Sequence, residues 1–157
     1  MSVRDLMTED VAACRSDDVC SAAVQLMWDC DCGAVPVLDS ERRLVGLVTD
    51  RDICMATWIR DTPPSAIPVA SVMSRDLCIC SPSDSLETAE RLMRSRQIRR
   101  LPVVDEQQHL LGILSLADIA SAVDRTRSRQ RASAAEVTAT LADICHRRAE
   151  GTSTPFA

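Results

Sequence analysis

"GLVTDRD" (Gly46–Asp52) is followed, 66 residues on, by "GILSLAD" (Gly112–Asp118). Each starts at glycine, runs through apolar positions to Thr or Ser, and reaches Asp three residues later. The same register extends upstream. Met7 falls on Met73, Asp10 on Asp76, Cys14 on Cys80 and Asp18 on Asp84. Leu26 and Met27 fall on Leu92 and Met93, Pro36 and Val37 on Pro102 and Val103, and Asp39 on Asp105. One ungapped offset over about fifty residues marks a duplication, and a duplication of this period decides the fold.

Both copies share one local grammar. "VAAC" (Val11–Cys14) and "LCIC" (Leu77–Cys80) are short apolar runs that predict strands. Helix signals follow in "SDDVCSAAVQLMWDC" and "SDSLETAERLMRSRQ". Asp18 and Asp84 are candidate caps, Glu87 completes a capping box with Asp84, and Leu86, Ala89, Leu92 and Met93 share a helical face. Two strands come next, "VPVLD" and "LVGLV" in the first copy, "LPVVD" and "LLGIL" in the second. The polar turns "SERR" and "EQQH" join each pair as a hairpin. A second helix opens at Thr49 and at Ser115. The expected fold is mixed α+β, two βαββα repeats related by a pseudo-two-fold axis, because one such unit is too small to bury both faces of its sheet. The expected boundaries are 2–59 and 68–124 for the repeats, 60–67 for the proline-rich linker, and 125–157 for a basic link and helical tail. In that tail Ser133 and Glu136 form a capping-box pattern, and Val137, Leu141, Ile144 and Cys145 make an apolar stripe.

Composition sets limits. Of 157 residues, 46% are hydrophobic and 26% charged, the balance of a globular chain. Aromatics are Trp28, Trp58 and Phe156 alone, so aliphatic side chains, Met and Cys must build the core. The net charge of −5 argues against nucleic acid as the main partner. Arg125, Arg127, Arg129 and Arg131 form a basic stripe, but no aromatics interleave with it for base stacking. "MSVRDLMTED" lacks the apolar stretch of a signal peptide, and no run is long enough to span a membrane. A cytoplasmic location with mostly reduced thiols is the expectation.

Thr49-x-x-Asp52 and Ser115-x-x-Asp118 have two readings. The pattern is a capping box that fixes a helix start. It also sits where a strand gives way to a helix, where unpaired main-chain N–H groups and the positive end of the dipole suit phosphate. There an ionised Asp matches the two hydroxyls of a ribose, each charge-assisted bond being worth roughly 1.5–3 kcal/mol. An adenine would lie in the apolar cleft beside the hairpin. "GAVPV", with Val35 and Pro36, and "RRLPV", with Arg99, Arg100, Leu101 and Pro102, would wall it. Main-chain groups near Val11 and Leu77 would read its edge.

Two copies of strand–helix–strand–strand–helix, each with a mid-repeat "PV" and a terminal G-h-h-[ST]-x-x-D (h apolar), resemble a tandem pair of CBS domains, a Bateman module, over about residues 2–124. The resemblance implies a regulatory module, with no catalytic residue, that binds adenosine-containing ligands between its repeats. AMP, ADP, ATP, NAD-type dinucleotides and S-adenosylmethionine are the ligand classes it implies. Thr49 and Asp52 would serve one cleft, Ser115 and Asp118 the other. It further implies a homodimer, and an effector protein that the residues do not identify. No cofactor is required beyond the adenine nucleotide acting as regulatory ligand.

Arg96, Arg99 and Arg100 suit phosphate, whereas copy one has Cys30, Gly33 and Ala34 at those places, so phosphate binding through arginine would make the clefts unequal. Arg94 and Arg96 also read as a solvated helix face. Cys30-x-Cys32, Cys78-x-Cys80, His109 and His146 raise a metal reading, but one-residue spacing is poorer for zinc than two to four. In a strand that spacing puts both thiols on one face. Cys14, Cys20, Cys54 and Cys145 fall at apolar positions where Cys packs as a small hydrophobe. A metal- or thiol-redox-responsive protein that binds no nucleotide is the alternative reading. No H-E-x-x-H, G-x-S-x-G or P-loop is present, and no acid–base pair points to an enzyme.

Overall fold

The structure, a computed structural model, describes residues 1–126, 138–139 and 141–143. The first repeat contains strand β1 (Cys14–Arg15), helix α1 (Cys20–Asp29), hairpin strands β2 (Ala34–Leu38) and β3 (Leu44–Thr49), and helix α2 (Asp50–Arg60). The second contains α3 (Leu86–Arg96), β4 (Arg100–Val104), β5 (Leu110–Ser115) and α4 (Leu116–Thr126). Short 3-10 turns lie at Val3–Asp5, Pro64–Ala66 and Val69–Ser71. None of the described helices is long and apolar enough to cross a membrane.

Both hairpins form as the turn residues dictate, and in matching register. Ala34 pairs with Thr49 and Val37 with Gly46; Arg100 pairs with Ser115 and Val103 with Gly112. β1 adds to β2 in parallel through Cys14 and Val37. The predicted first strands are shorter than expected. "VAAC" supplies only Cys14 to a two-residue strand, and "LCIC" is extended with a single parallel bridge from Cys80 to Val103. The basic stripe beyond Arg125, and Ser133, Glu136, Val137, Ile144, Cys145 and His146 of the tail, lie outside the described residues. Leu141 is described, and it is 42% exposed.

The helix starts correct the capping expectation. The cap of α1 is Val19 and that of α3 is Ser85, whose hydroxyl accepts from Thr88 N–H. Asp18 and Asp84 instead accept from the N–H groups of Arg15 and Ser81, closing the turns before the helices. The reason is tertiary. Cys20 N–H donates to the Ile67 carbonyl at 2.8 Å and Leu86 N–H to the Met1 carbonyl at 3.3 Å, so backbone from elsewhere satisfies these helix ends.

Those contacts reveal an exchange of leading segments. Val3, fully buried, packs in the second repeat's core with Met93, Leu101, Leu114 and Ile119. Ile67, Val69 and Met73 pack in the first repeat's core with Val35, Val37, Val48 and Ile53. The bridges obey the pseudo-symmetry: Ser2 to Ser85 matches Pro68 to Val19, and Thr8 to Ile113 matches Ser74 to Leu47. Each sequence repeat therefore completes its core with the segment that opens the other. Burying one Val side chain in this way stabilises the fold by about 1.5–3 kcal/mol.

The cysteines divide. Cys14 and Cys20 are core residues, but Cys54, read as apolar packing, is exposed, because Ile53 is the one buried residue of α2. Cys30 caps α1 and Cys32 lies in the loop before β2, so this pair is not in a strand.

Candidate functional site: a cleft between the repeats

The conformation at Thr49 is extended, so β3 runs directly into α2 with Thr49 as N-cap. Asp52 N–H donates to Thr49 Oγ1 at 3.2 Å. In return Asp52 Oδ2 accepts from Thr49 N–H at 3.0 Å and from Thr49 Oγ1 at 2.7 Å. Ser115 and Asp118 repeat the arrangement at 3.2, 2.8 and 2.6 Å. The capping box is thus formed in both copies. It engages one carboxylate oxygen of each Asp and leaves Oδ1 without a hydrogen bond among the described residues. Capping and diol binding are compatible in this geometry, since a carboxylate has about four acceptor sites.

The helix amides differ from expectation. Asp50 N–H donates to the Gly33 carbonyl at 3.3 Å and Leu116 N–H to the Arg99 carbonyl at 2.9 Å. Arg51 N–H is taken by Asp50 Oδ1. At α2 the first three amides are thus engaged within the chain, so this N-terminus is not the open phosphate seat that the sequence implied, and positive charge near the cleft comes from arginine.

A cleft of about 620 Å³ joins the repeats. The first contributes Ala34, Leu47 and Thr49; the second contributes Leu77, Arg96, Arg99, Arg100 and Pro102. Five of the expected site residues therefore meet, and they meet across the pseudo-axis: Thr49 of one repeat faces Leu77 and the arginines of the other. Arg96 pairs loosely with Asp76 at 3.8 Å, both side chains lying in solvent. Sequence reasoning missed Leu47, Asp76, Cys78 and Ile98 on this cleft. The one available signal was the alignment of Asp10 with Asp76, which marks the segment where the leading strand crosses over.

Other expected residues lie elsewhere. Val35 and Leu101 are fully buried in the two cores. Strand alternation turns them away from the cleft, toward which Ala34 and Pro102 point. Val11 lines a second cavity of about 530 Å³, beside Glu9, Asp10, Arg42 and His109. Asp52, Ser115, Asp118 and Pro36 line neither of these two cavities, and Asp52 meets the cleft only through its hydrogen bonds to Thr49. At the counterpart of Arg99, Gly33 lies so close to Asp50 that a Cβ there would sit 3.0 Å from the carboxylate. Bulk and positive charge are present on one side of the pseudo-axis and absent at the matching place on the other.

The buried thiols are poor candidates for chemistry. Burial, with Asp18 second, raises Cys14 to about 11; burial, with Asp84 second, raises Cys80 to about 12. Burial also pushes Cys20 and Cys78 upward. Thiols that hold their protons make weak metal ligands and weak nucleophiles. His109 Nδ1 is 3.1 Å from Asp105 Oδ2 in its own turn. Among the described residues, no three His, Cys, Asp or Glu side chains gather as a metal site.

The profile of the CBS domain matches this chain twice, at residues 3–58 and 69–125. The chain is 42% identical over 119 residues to the CBS domain-containing protein YhcV of Bacillus subtilis, covering 76% of this chain and 83% of that one. It is 30% identical to hypoxic response protein 1 of Mycobacterium tuberculosis, covering 76% and 82%. The crystal structure of that protein with two coordinated zinc ions superposes with a TM-score of 0.70 over 77% of this chain and 98% of that one. The crystal structure of CBSX2 in complex with AMP, 28% identical, superposes with a TM-score of 0.70 over 80% and 98%.

Proposed function

The chain belongs to the CBS domain family as a tandem pair, and on that footing we propose that it is a regulatory sensor, not an enzyme. It binds an adenosine-containing ligand between its repeats, works as a homodimer, and passes the ligand-induced change to an effector protein. The observation that carries this reading is the cleft in which Thr49, hydrogen-bonded to Asp52, faces Arg99 and Arg100. Asp52 Oδ1 takes the ribose diol, the apolar surface of Leu77 and Pro102 takes the adenine, and the arginines take phosphate. The AMP-bound structure of a protein 28% identical supports the ligand class. Because both repeats contribute to the cleft, a ligand that prefers one packing of the repeats shifts the population toward it.

A thermal-shift and calorimetric panel of AMP, ADP, ATP, NAD and S-adenosylmethionine tests the reading. A ligand at a hundred times its dissociation constant stabilises the fold by about 2.7 kcal/mol. Asp52→Ala is expected to weaken binding about tenfold or more, while Asp118→Ala leaves the arginine-lined cleft intact. Arg99→Ala with Arg100→Ala is expected to weaken AMP far more than adenosine. If Asp52→Ala binds as tightly as the parent, capping is the whole role of Asp52.

The likeness to the zinc-containing hypoxic response protein supports a second reading, a metal-responsive module. Elemental analysis of protein purified without chelator decides it: zinc in fixed ratio favours it, and metal-free protein that binds AMP removes it.

A further inference from the structure

Helices α1 and α2 pack side by side, and Trp28 and Trp58 stand out from them, 83% and 77% exposed. Between the two indoles runs an open groove of about 730 Å³, lined in part by Met27, Ile53 and Cys54. Asp50 and Asp61 also line it, and no Arg or His among the described residues does. Neither carboxylate forms an ion pair among the described residues. Arg60, the neighbour of Asp61, is held instead by the hydroxyl and carbonyl of Ser71, at 2.8 and 3.1 Å.

These groups are set out along the groove, not gathered at one point. Asp50 opens α2 and Asp61 caps its far end, about 16 Å away along the helix axis. α1 runs the opposite way. The Gly33 carbonyl, just past its end, accepts from Asp50 N–H, while Cys20 N–H at its start donates to Ile67, just past the Pro64–Ala66 turn. Trp28, near the end of α1, therefore lies toward Asp50, and Trp58, three residues before Asp61, lies toward Asp61. Each end of the groove holds one indole and one carboxylate, with an apolar stretch between them.

An indole face attracts a cation, and an unpaired carboxylate does the same. The apolar stretch suits methylene groups, as apolar surface does beneath the stems of Lys and Arg. A single metal ion does not fit, since carboxylates so far apart cannot share one, and no three His, Cys, Asp or Glu side chains gather among the described residues. At the 66-residue offset Trp28 becomes Arg94 and Asp50 becomes Leu116, which is buried. The second repeat thus sets a cation where the first sets an indole, and lacks the carboxylate.

We infer that the groove between α1 and α2 binds a linear aliphatic polyamine, one ammonium group at each end and its methylenes over Met27, Ile53 and Cys54. The site is separate from the nucleotide cleft, with which it shares no lining residue, and is independent of that reading.

Calorimetric titration of the full chain at fixed ionic strength tests it, with diaminobutane, diaminooctane and the uncharged octanediol as probes. The two diamines carry the same charge and differ in reach. Diaminooctane is expected to bind about tenfold or more tighter than either of the others, the loss of one charge-assisted contact being worth that much. Asp50→Asn and Asp61→Asn are each expected to weaken diaminooctane about fivefold or more, and Trp58→Leu about threefold. Circular dichroism melts of these variants should match the parent's, because all three side chains already face solvent. Equal affinity for the two diamines would mean that the acidic chain merely collects cations, and overturns the site. Octanediol binding as tightly as diaminooctane overturns the role of charge, and diamine binding indifferent to both Asp variants overturns the location. Titrations at two protein concentrations should agree; weaker binding at the higher one means that a second copy covers the groove, and also overturns the site.

Discussion

Gly112 lies beneath the Thr8 carbonyl, and a Cβ added there would stand 2.6 Å from that oxygen. Its counterpart Gly46 lies beneath the Met73 side chain. Sequence reading placed both glycines in a ligand motif; the structure gives them a packing role, admitting the segment that crosses from the other repeat. Gly112→Ala is expected to destabilise by about 1–3 kcal/mol in urea titration, as overpacking does. Gly46→Ala should be milder, because a methionine chain yields where backbone does not. Equal midpoints for the two variants would mean that the Thr8 backbone also moves. Cys14 and Cys80 set a pH limit. Folded, they keep protons to about 11 and 12; the ordinary thiol value is 9.0. The unfolded chain releases those protons first, so their contribution to stability is complete below pH 9.0 and is lost as pH climbs through about 11 and 12. The urea midpoint should fall across that window, and Cys80→Ala should shallow the fall.

The hairpins were legible because their instructions are local. Asp39 Oδ1 accepts from the N–H groups of Glu41 and Arg43, and Asp105 Oδ1 from those of Gln107 and His109, so each aspartate closes its own turn. The turn places Arg42 at φ +65° and Gln108 at φ +68°, where a side chain is strained. Gln108→Gly should therefore raise stability by up to about 1 kcal/mol, seen as a higher melting temperature. The starts of α1 and α3 were not legible. Their N–H groups bond to carbonyls of Ile67 and Met1, residues remote in sequence, and no local pattern around Asp18 or Asp84 encodes that. For the same reason the sequence named Thr49, Leu77, Arg99, Arg100 and Pro102 singly but not as one cleft. Their meeting depends on how the repeats pack, and Val35 and Leu101 were misplaced because the face each presents is fixed only once the hairpin is docked.

At the scale of the whole molecule, stability is shared between the repeats. Val3→Ala removes a fully buried side chain from the core around Met93 and Leu114, at a cost of about 1.5–3 kcal/mol. Amide exchange should rise first in α3, β4 and β5, far from residue 3 in sequence; a rise confined to the first repeat would contradict the shared core. The exchange of leading segments also bears on ancestry and on proteolysis. Two half-length chains trading arms would make the same contacts, so the peptide between Asp61 and Pro64 is a tether that the particle does not need for cohesion. A protease nick in that tether should leave one particle, with native mass spectrometry returning both fragments together and denaturing conditions parting them.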